Sequence, residues 1–205
     1  MEYSIMFRAF EKRDADFIYA CKNDENLNSM IVGQYRPITH KEAEQWVEGV
    51  IRADRKDMKF WAICTNDEER RIVGWISLSE IDLGNKSACF HGLVIGDPKY
   101  RDGTAWVESY ILILEYAFEK FNLNRLYGTY LPNHIMTKSM ANSVYFITEG
   151  VYRQSFLRDG KYHDEVFASL LASEYFEHKN NGDYTFNSIY KRLIKELRKQ
   201  KNNDE

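Results

Sequence analysis

The run Leu93-Val94-Ile95-Gly96-Asp97-Pro98-Lys99-Tyr100-Arg101-Asp102-Gly103-Thr104-Ala105 joins a short apolar strand to a long helix through a turn holding Pro and Gly. A turn that opens a helix presents free backbone N–H groups at the positive end of the helix dipole, an arrangement that attracts phosphate. Arg101 adds a cation, Thr104 a hydroxyl donor, and Gly103 and Ala105 the small side chains that let an anion approach the backbone. Asp102 brings negative charge to the same place, which is locally unfavourable to phosphate. Upstream, two side chains could move a proton. Glu80 closes a strand and points toward the sheet centre if strand alternation holds, with Asp82 on the same face. His91 has the intrinsic pKa of a proton acceptor near neutrality, although a lone histidine in an apolar strand is also a common core residue.

These residues need a scaffold, and its order is readable. Val107, Tyr110, Ile111, Leu114, Ala117, Phe118 and Phe121 follow the period of one helix face, predicting a helix over 104–121. Thr39 followed by Glu42 is a capping box, and Ala43, Trp46, Val47, Val50 and Ile51 mark the face of the helix it starts. A shorter helix is expected over 14–21 and another over 134–145, with the polar loop 23–37, holding Gly33, shaping a pocket. Strands are expected at 4–10, 59–65, 71–79, 87–96, 124–131, 147–157 and 161–171. Strands first, then strands alternating with helices, predict an α/β fold: a mixed sheet of about seven strands with helices on both faces. Phe186, Ile189, Tyr190, Leu193 and Leu197 predict one more helix within 183–201, read as packing on the core or on a second copy of the chain.

Composition sets outer limits. A length of 205 residues, 44% hydrophobic and 15% aromatic, suits one domain over 1–175, with 176–205 as a linker and helical extension. The net charge of −3 gives no global field favouring nucleic acid or an anionic membrane. Cys21, Cys64 and Cys89 show no paired or metal-ligand spacing, so free thiols and no metal are expected. No apolar run reaches the roughly 20 residues needed to span a bilayer, and the charged start of the chain does not read as a signal peptide. The expected setting is cytoplasmic.

Taken together with Ile72–Asp82, Asn85–Ala88, Leu123–Tyr127, Glu149–Arg153 and the closing Arg158-Asp159-Gly160-Lys161-Tyr162-His163-Asp164, the order and spacing resemble the GNAT acetyltransferases. The likeness runs from about Phe7 to Leu171 and is strongest to the branch that acetylates ribosomal-protein N-termini and amino sugars. It implies acetyl-CoA as cosubstrate, bound with its pantetheine along Leu93, Val94 and Ile95 and its pyrophosphate at the turn formed by Arg101, Asp102, Gly103, Thr104 and Ala105. It also implies direct transfer to an amine, with no covalent acyl-enzyme. The family turn reads Arg/Gln-x-x-Gly-x-Gly/Ala. One register keeps Arg101 but sets Thr104 and Trp106 at the small positions; a shift by one restores Gly103 and Ala105 but loses the leading Arg.

The family's Asn after the fifth strand is matched by Asn133, and its small hydroxyl residue falls near Ser139. The tyrosine that protonates the leaving thiolate in much of the superfamily has Met140 in its register, while Tyr145 lies further on. His163 and Asp164 fit a packing role, since adjacent strand residues face opposite sides.

Two functions follow. One is an N-acetyltransferase for a primary amine on an amino sugar, a small molecule or a protein N-terminus, with Glu80 or His91 as base. The other is a non-catalytic GNAT-like binding or regulatory module with an altered phosphate turn. A homodimer is compatible with both.

Overall fold

In the computed structural model the described residues are 3–29, 35–52 and 57–203, and the side chains of His91 and of residues 201–203 lie outside the description. Gly33 of the expected pocket loop is likewise outside the described residues. Among the described residues seven strands form one sheet in the order β1-β2-β3-β4-β5-β7-β6. They are β1 (Ile5–Arg8), β2 (Lys59–Thr65), β3 (Ile72–Asp82), β4 (Ser87–Ile95), β5 (Arg125–Tyr130), β6 (Ile147–Arg158) and β7 (Lys161–Leu171). Neighbours are antiparallel except β4 and β5, which run parallel. A parallel pair needs a crossover, and the helix α4 (Thr104–Glu115) supplies it, continued by a π-helical turn over Tyr116–Lys120. That crossover fixes the N-terminus of α4 beside the C-terminal end of β4, where open α/β sheets place their ligands.

Helices cover both faces. The helices α1 (Ala15–Lys22) and α3 (His40–Arg52), linked through the short α2 (Glu25–Asn28), cover one; Ala43 and Val47 of α3 bury against Phe10, Ile18, Ala62 and Cys64. The expected capping box is formed: Thr39 N–H donates to Glu42 Oε2 at 2.8 Å and Glu42 N–H to Thr39 Oγ1 at 3.2 Å. On the opposite face Val107, Tyr110, Ile111 and Leu114 of α4 bury against Ile63, Ile76, Leu78 and Ile95.

The helix α5 (Ile135–Ser143) follows β5. At the end of the chain α6 (Ala172–Asn180), which the sequence reading does not foresee, crosses residue 175, where the extension is expected to begin. Tyr175 of α6, Tyr184, and Ile189 and Leu193 of α7 (Phe186–Asn203) join the same core as α4. The extension is thus packed on the core. The β6–β7 hairpin closes through Asp159 and Gly160, both at positive φ (49° and 73°), the two-residue turn that an Asp-Gly pair favours.

Two bulges shape the middle of the sheet. Ile76 pairs with Leu93 but Leu78 with Phe90, so β4 carries one extra residue there; Gly92, at φ +79°, absorbs it. Ser79 pairs with Cys89 but Asp82 with Ser87, which puts the extra residue on β3, where Glu80 takes φ +51°. A positive φ is uncommon for a residue with a Cβ.

Candidate active site

Pairing between β4 and β5 covers only Ser87–Arg125, Ala88–Leu126 and Cys89–Tyr127. Beyond Cys89 the bulged β4 bends away, and a cavity of about 260 Å³ opens between the two strands. Cys89, Phe90, Gly92, Leu93 and Val94 line one wall, and Gly128, Thr129, Tyr130 and Leu131 the other. Trp106 and Tyr110 of α4, with His134, Thr137 and Ala141 around α5, line the end beneath those helices. The β4 and β5 edges facing the gap have no strand partner there among the described residues, so their backbone N–H and C=O groups can pair with an amide-bearing ligand as an added strand would.

A carboxylate that the sequence reading does not single out also lines the cleft. Glu165 of β7 lines the cavity and accepts a hydrogen bond from Thr129 Oγ1 at 2.7 Å. Tyr127, Phe167 and Tyr152 form an aromatic wall on the same side, with ring centroids 5.7 Å and 5.3 Å apart in sequence across the three. The hairpin end is tied to the segment after α2 by Arg158, whose guanidinium donates to the Ser29 carbonyl. The alternation of β7 held the signal for Glu165, a carboxylate two residues before Phe167 on the face of Ser169. Which face borders the cleft depends on where β4 and β5 part, and that is not a local property.

The environment sets protonation. Burial pushes the Cys89 thiol up to about 11, so it stays protonated at neutral pH and is a poor nucleophile. Burial likewise lowers the His134 pKa, keeping its imidazole neutral; the ring nitrogen Nδ1 accepts the Thr137 N–H at 3.3 Å and so caps α5. The Tyr127 hydroxyl is raised by burial and by its hydrogen bond to Glu80 Oε2, 2.8 Å long.

The residues singled out from the sequence fall into three groups. Leu93 and Val94 line the cleft, and Ile95 is buried just beyond it. The turn residues stand at the start of α4, with Arg101 and Asp102 exposed but hydrogen-bonded within the chain. Arg101 donates to the Ile95 carbonyl (2.9 Å) and the Gly96 carbonyl (2.6 Å), holding the end of β4. Asp102 accepts the Thr104 N–H at 2.9 Å and the Thr104 hydroxyl at 3.1 Å, so its carboxylate stands at the head of the helix. Gly103 is the N-cap at φ +98°, a conformation that side chains with a Cβ resist, and Ala105 is buried.

The remaining residues stand apart from the cavity. Glu80 is exposed at its bulge and bound to Tyr127 rather than lining the cleft. Asn133 is exposed in the turn after β5. Ser139 is fully buried within α5, and its hydroxyl has no hydrogen-bond partner among the described residues. Tyr145 stacks on His178 at 3.5 Å and lies under Arg192, away from the cleft. The His91 side chain lies outside the described residues.

Comparison with known proteins agrees with this architecture. The family model of the acetyltransferase (GNAT) domain matches residues 4–145. The chain is 24% identical to a spermidine N(1)-acetyltransferase of Vibrio cholerae over 176 residues, covering 85% of this chain and 97% of that protein. It is 23% identical to the ribosomal protein uS5-alanine N-acetyltransferase of Escherichia coli, over 53% of this chain and 55% of that one. The structure of the Vibrio cholerae spermidine N-acetyltransferase in complex with CoA and spermine superposes with a TM-score of 0.73, at 22% identity, over 84% of this chain and 98% of that one. A GNAT-family acetyltransferase from Bacillus anthracis gives a TM-score of 0.71 at 20% identity, over 85% and 98% of the two chains. With a family model spanning well over half of its length, the chain belongs to the GNAT acetyltransferases and is an acyltransferase that takes acetyl-CoA as cosubstrate.

Proposed function

We propose that this chain is an N-acetyltransferase that passes the acetyl group of acetyl-CoA directly to a primary amine, with the β4–β5 cleft as its reaction chamber. The observation that carries this reading is the cleft itself. It has strand edges without a strand partner there among the described residues for the pantetheine amides, the head of α4 beside it, and the Glu165 carboxylate in its lining. The amine enters from the side of Glu165 and Thr129. Glu165 takes a proton from the ammonium, and the neutral nitrogen attacks the thioester carbonyl carbon. Backbone N–H groups of the open β4 edge donate to the oxyanion, and its collapse breaks the carbon–sulfur bond while the nitrogen gives up its second proton to the departing thiolate or to water. A thiol has a pKa of about 8.5, so the thiolate leaves without an obligatory acid, which suits a chain with Met140 where many relatives have tyrosine.

Glu80 and His91 are proposed as acceptor-side residues. Glu80, through Tyr127, fixes the aromatic wall; His91 follows Cys89 by two positions in β4. The similarity to a spermidine acetyltransferase puts polyamines into the acceptor class beside amino sugars, small amines and peptide N-termini. A screen over these four groups with acetyl-CoA and a thiol-release readout tests the reading. Release that depends on one amine class supports it, and no release with any amine supports the non-catalytic alternative.

That alternative has one structural observation in its favour, the carboxylate of Asp102 where phosphate would sit. Its effect is measurable. Asp102→Asn keeps an acceptor for the Thr104 N–H while removing the charge. Calorimetric titration should show acetyl-CoA binding strengthened by roughly threefold to tenfold, the worth of one repulsion in a solvated site. Unchanged or weaker binding contradicts the placement of phosphate at this turn.

A further inference from the structure

We infer that the basic outer face of α7, through Lys191, Lys195 and Arg198, binds the phosphates of acetyl-CoA. The inference rests on the cleft reading above. It adds residues that lie outside the part of the chain matched by the family model, which ends at residue 145.

The first argument is position. Gly182, Tyr184 and Thr185, just before α7, share a small cavity with Ile111, Leu114 and Glu115 at the far end of α4. Further along, the Tyr190 ring lies 3.8 Å from where a Cβ on Gly103, the α4 N-cap, would stand. Hence α7 runs antiparallel to α4, and its residues after Tyr190 continue past the head of that helix. The same segment follows α5 back to its start. Arg192 Nε donates to the Ser143 carbonyl at 2.8 Å, Asn142 Nδ2 to Glu196 at 3.2 Å, and Lys138 Nζ to Gln200 at 3.3 Å. α7 therefore passes the head of α4 at Tyr190 and reaches the first turns of α5 at Gln200. Trp106 and Thr137, from the first turns of those two helices, line the cleft.

The second argument is charge. The inward residues Arg192 and Glu196 are satisfied by α5 and its neighbours, as above. Lys191, Lys195 and Arg198 follow one another at helical spacing, are exposed, and make no ion pair or hydrogen bond among the described residues. With Ile194 and Lys199 they border an open groove. The turn before α4 leaves a need for such cations, because Arg101 is folded onto backbone carbonyls and Asp102 adds a negative charge. CoA carries a diphosphate and a 3′-phosphate, all anionic. Surface charges act over roughly 10 Å at ordinary salt, and a row of cations on a helix that passes the head of α4 at Tyr190 supplies the countercharge.

The test compares acetyl-CoA with S-acetylpantetheine, which has the thioester arm but no phosphate. In the full-length Lys191→Gln/Lys195→Gln/Arg198→Gln variant, acetyl-CoA affinity should fall by about tenfold, from several modest surface contacts acting together. S-acetylpantetheine affinity should stay within about twofold of wild type, and raising salt from about 50 to about 300 mM should weaken acetyl-CoA binding in wild type more than in the variant. Equal acetyl-CoA affinity in variant and wild type overturns the inference. So does a parallel loss for both compounds, which marks a structural effect. A wild-type protein that binds neither compound refutes the cleft reading itself, and the inference with it.

Discussion

Glu165→Gln should lower the turnover of acetyl transfer by about 10² while leaving acetyl-CoA affinity within about twofold of wild type. The carboxylate faces the cleft and is held by Thr129, and the isosteric amide keeps that hydrogen bond as an acceptor while losing the ability to take a proton. A base-free site still aligns the reactants, and alignment alone contributes several kcal/mol, so activity should persist at a reduced level. The loss should shrink as pH rises and more of the amine becomes neutral without help. Glu80→Gln and His91→Ala, measured alongside, should each cost less. Full turnover in Glu165→Gln with a loss of about 10² in either of the other two would transfer the base to that residue.

The largest expected effect on stability lies far from the cleft. Asp14 is 1% exposed and takes both terminal nitrogens of Arg8, whose side chain is 8% exposed, at 2.8 Å each. It also accepts the Glu11 N–H at 2.8 Å, closing the turn that leads from β1 into α1. Replacing both partners by well-packed apolar residues is often near neutral, whereas removing one strands a buried charge. Asp14→Ala should therefore lower unfolding free energy by about 3–5 kcal/mol, a large share of the roughly 5–15 kcal/mol typical of a domain. Urea denaturation checks it, and a loss below about 1 kcal/mol would mean that water or the Ala9 and Arg70 carbonyls satisfy Arg8.

What could be read from the sequence was local. The Thr39–Glu42 box and the apolar face of α4 each depend on a few neighbouring residues, and each forms as expected. Leu93 and Val94 were also legible, because an apolar strand before a glycine-bearing turn points to one place in such a fold. Alternation failed at Glu80, because a bulge with φ +51° interrupts the period that orients the side chain. Arg101 shows a different limit: its type and position suit phosphate, yet the nearest acceptors are carbonyls of its own strand end. Glu165 was invisible for a third reason. It reaches the cleft only through a contact separated by dozens of residues, Thr129 with Glu165.

The account stands or falls on whether acetyl-CoA occupies the space between β4 and β5. Thr137 lines that space from α5, and its half-exposed side chain can be enlarged without disturbing the cap made by His134 on its backbone N–H. Titration calorimetry of acetyl-CoA into wild type and Thr137→Trp is the direct measurement, with thermal unfolding of both proteins as the folding control. The account predicts saturable binding of one acetyl-CoA per wild-type chain, and affinity at least about tenfold weaker in a variant whose midpoint stays within a few degrees. Equal binding by the two proteins, or none by wild type, would contradict it.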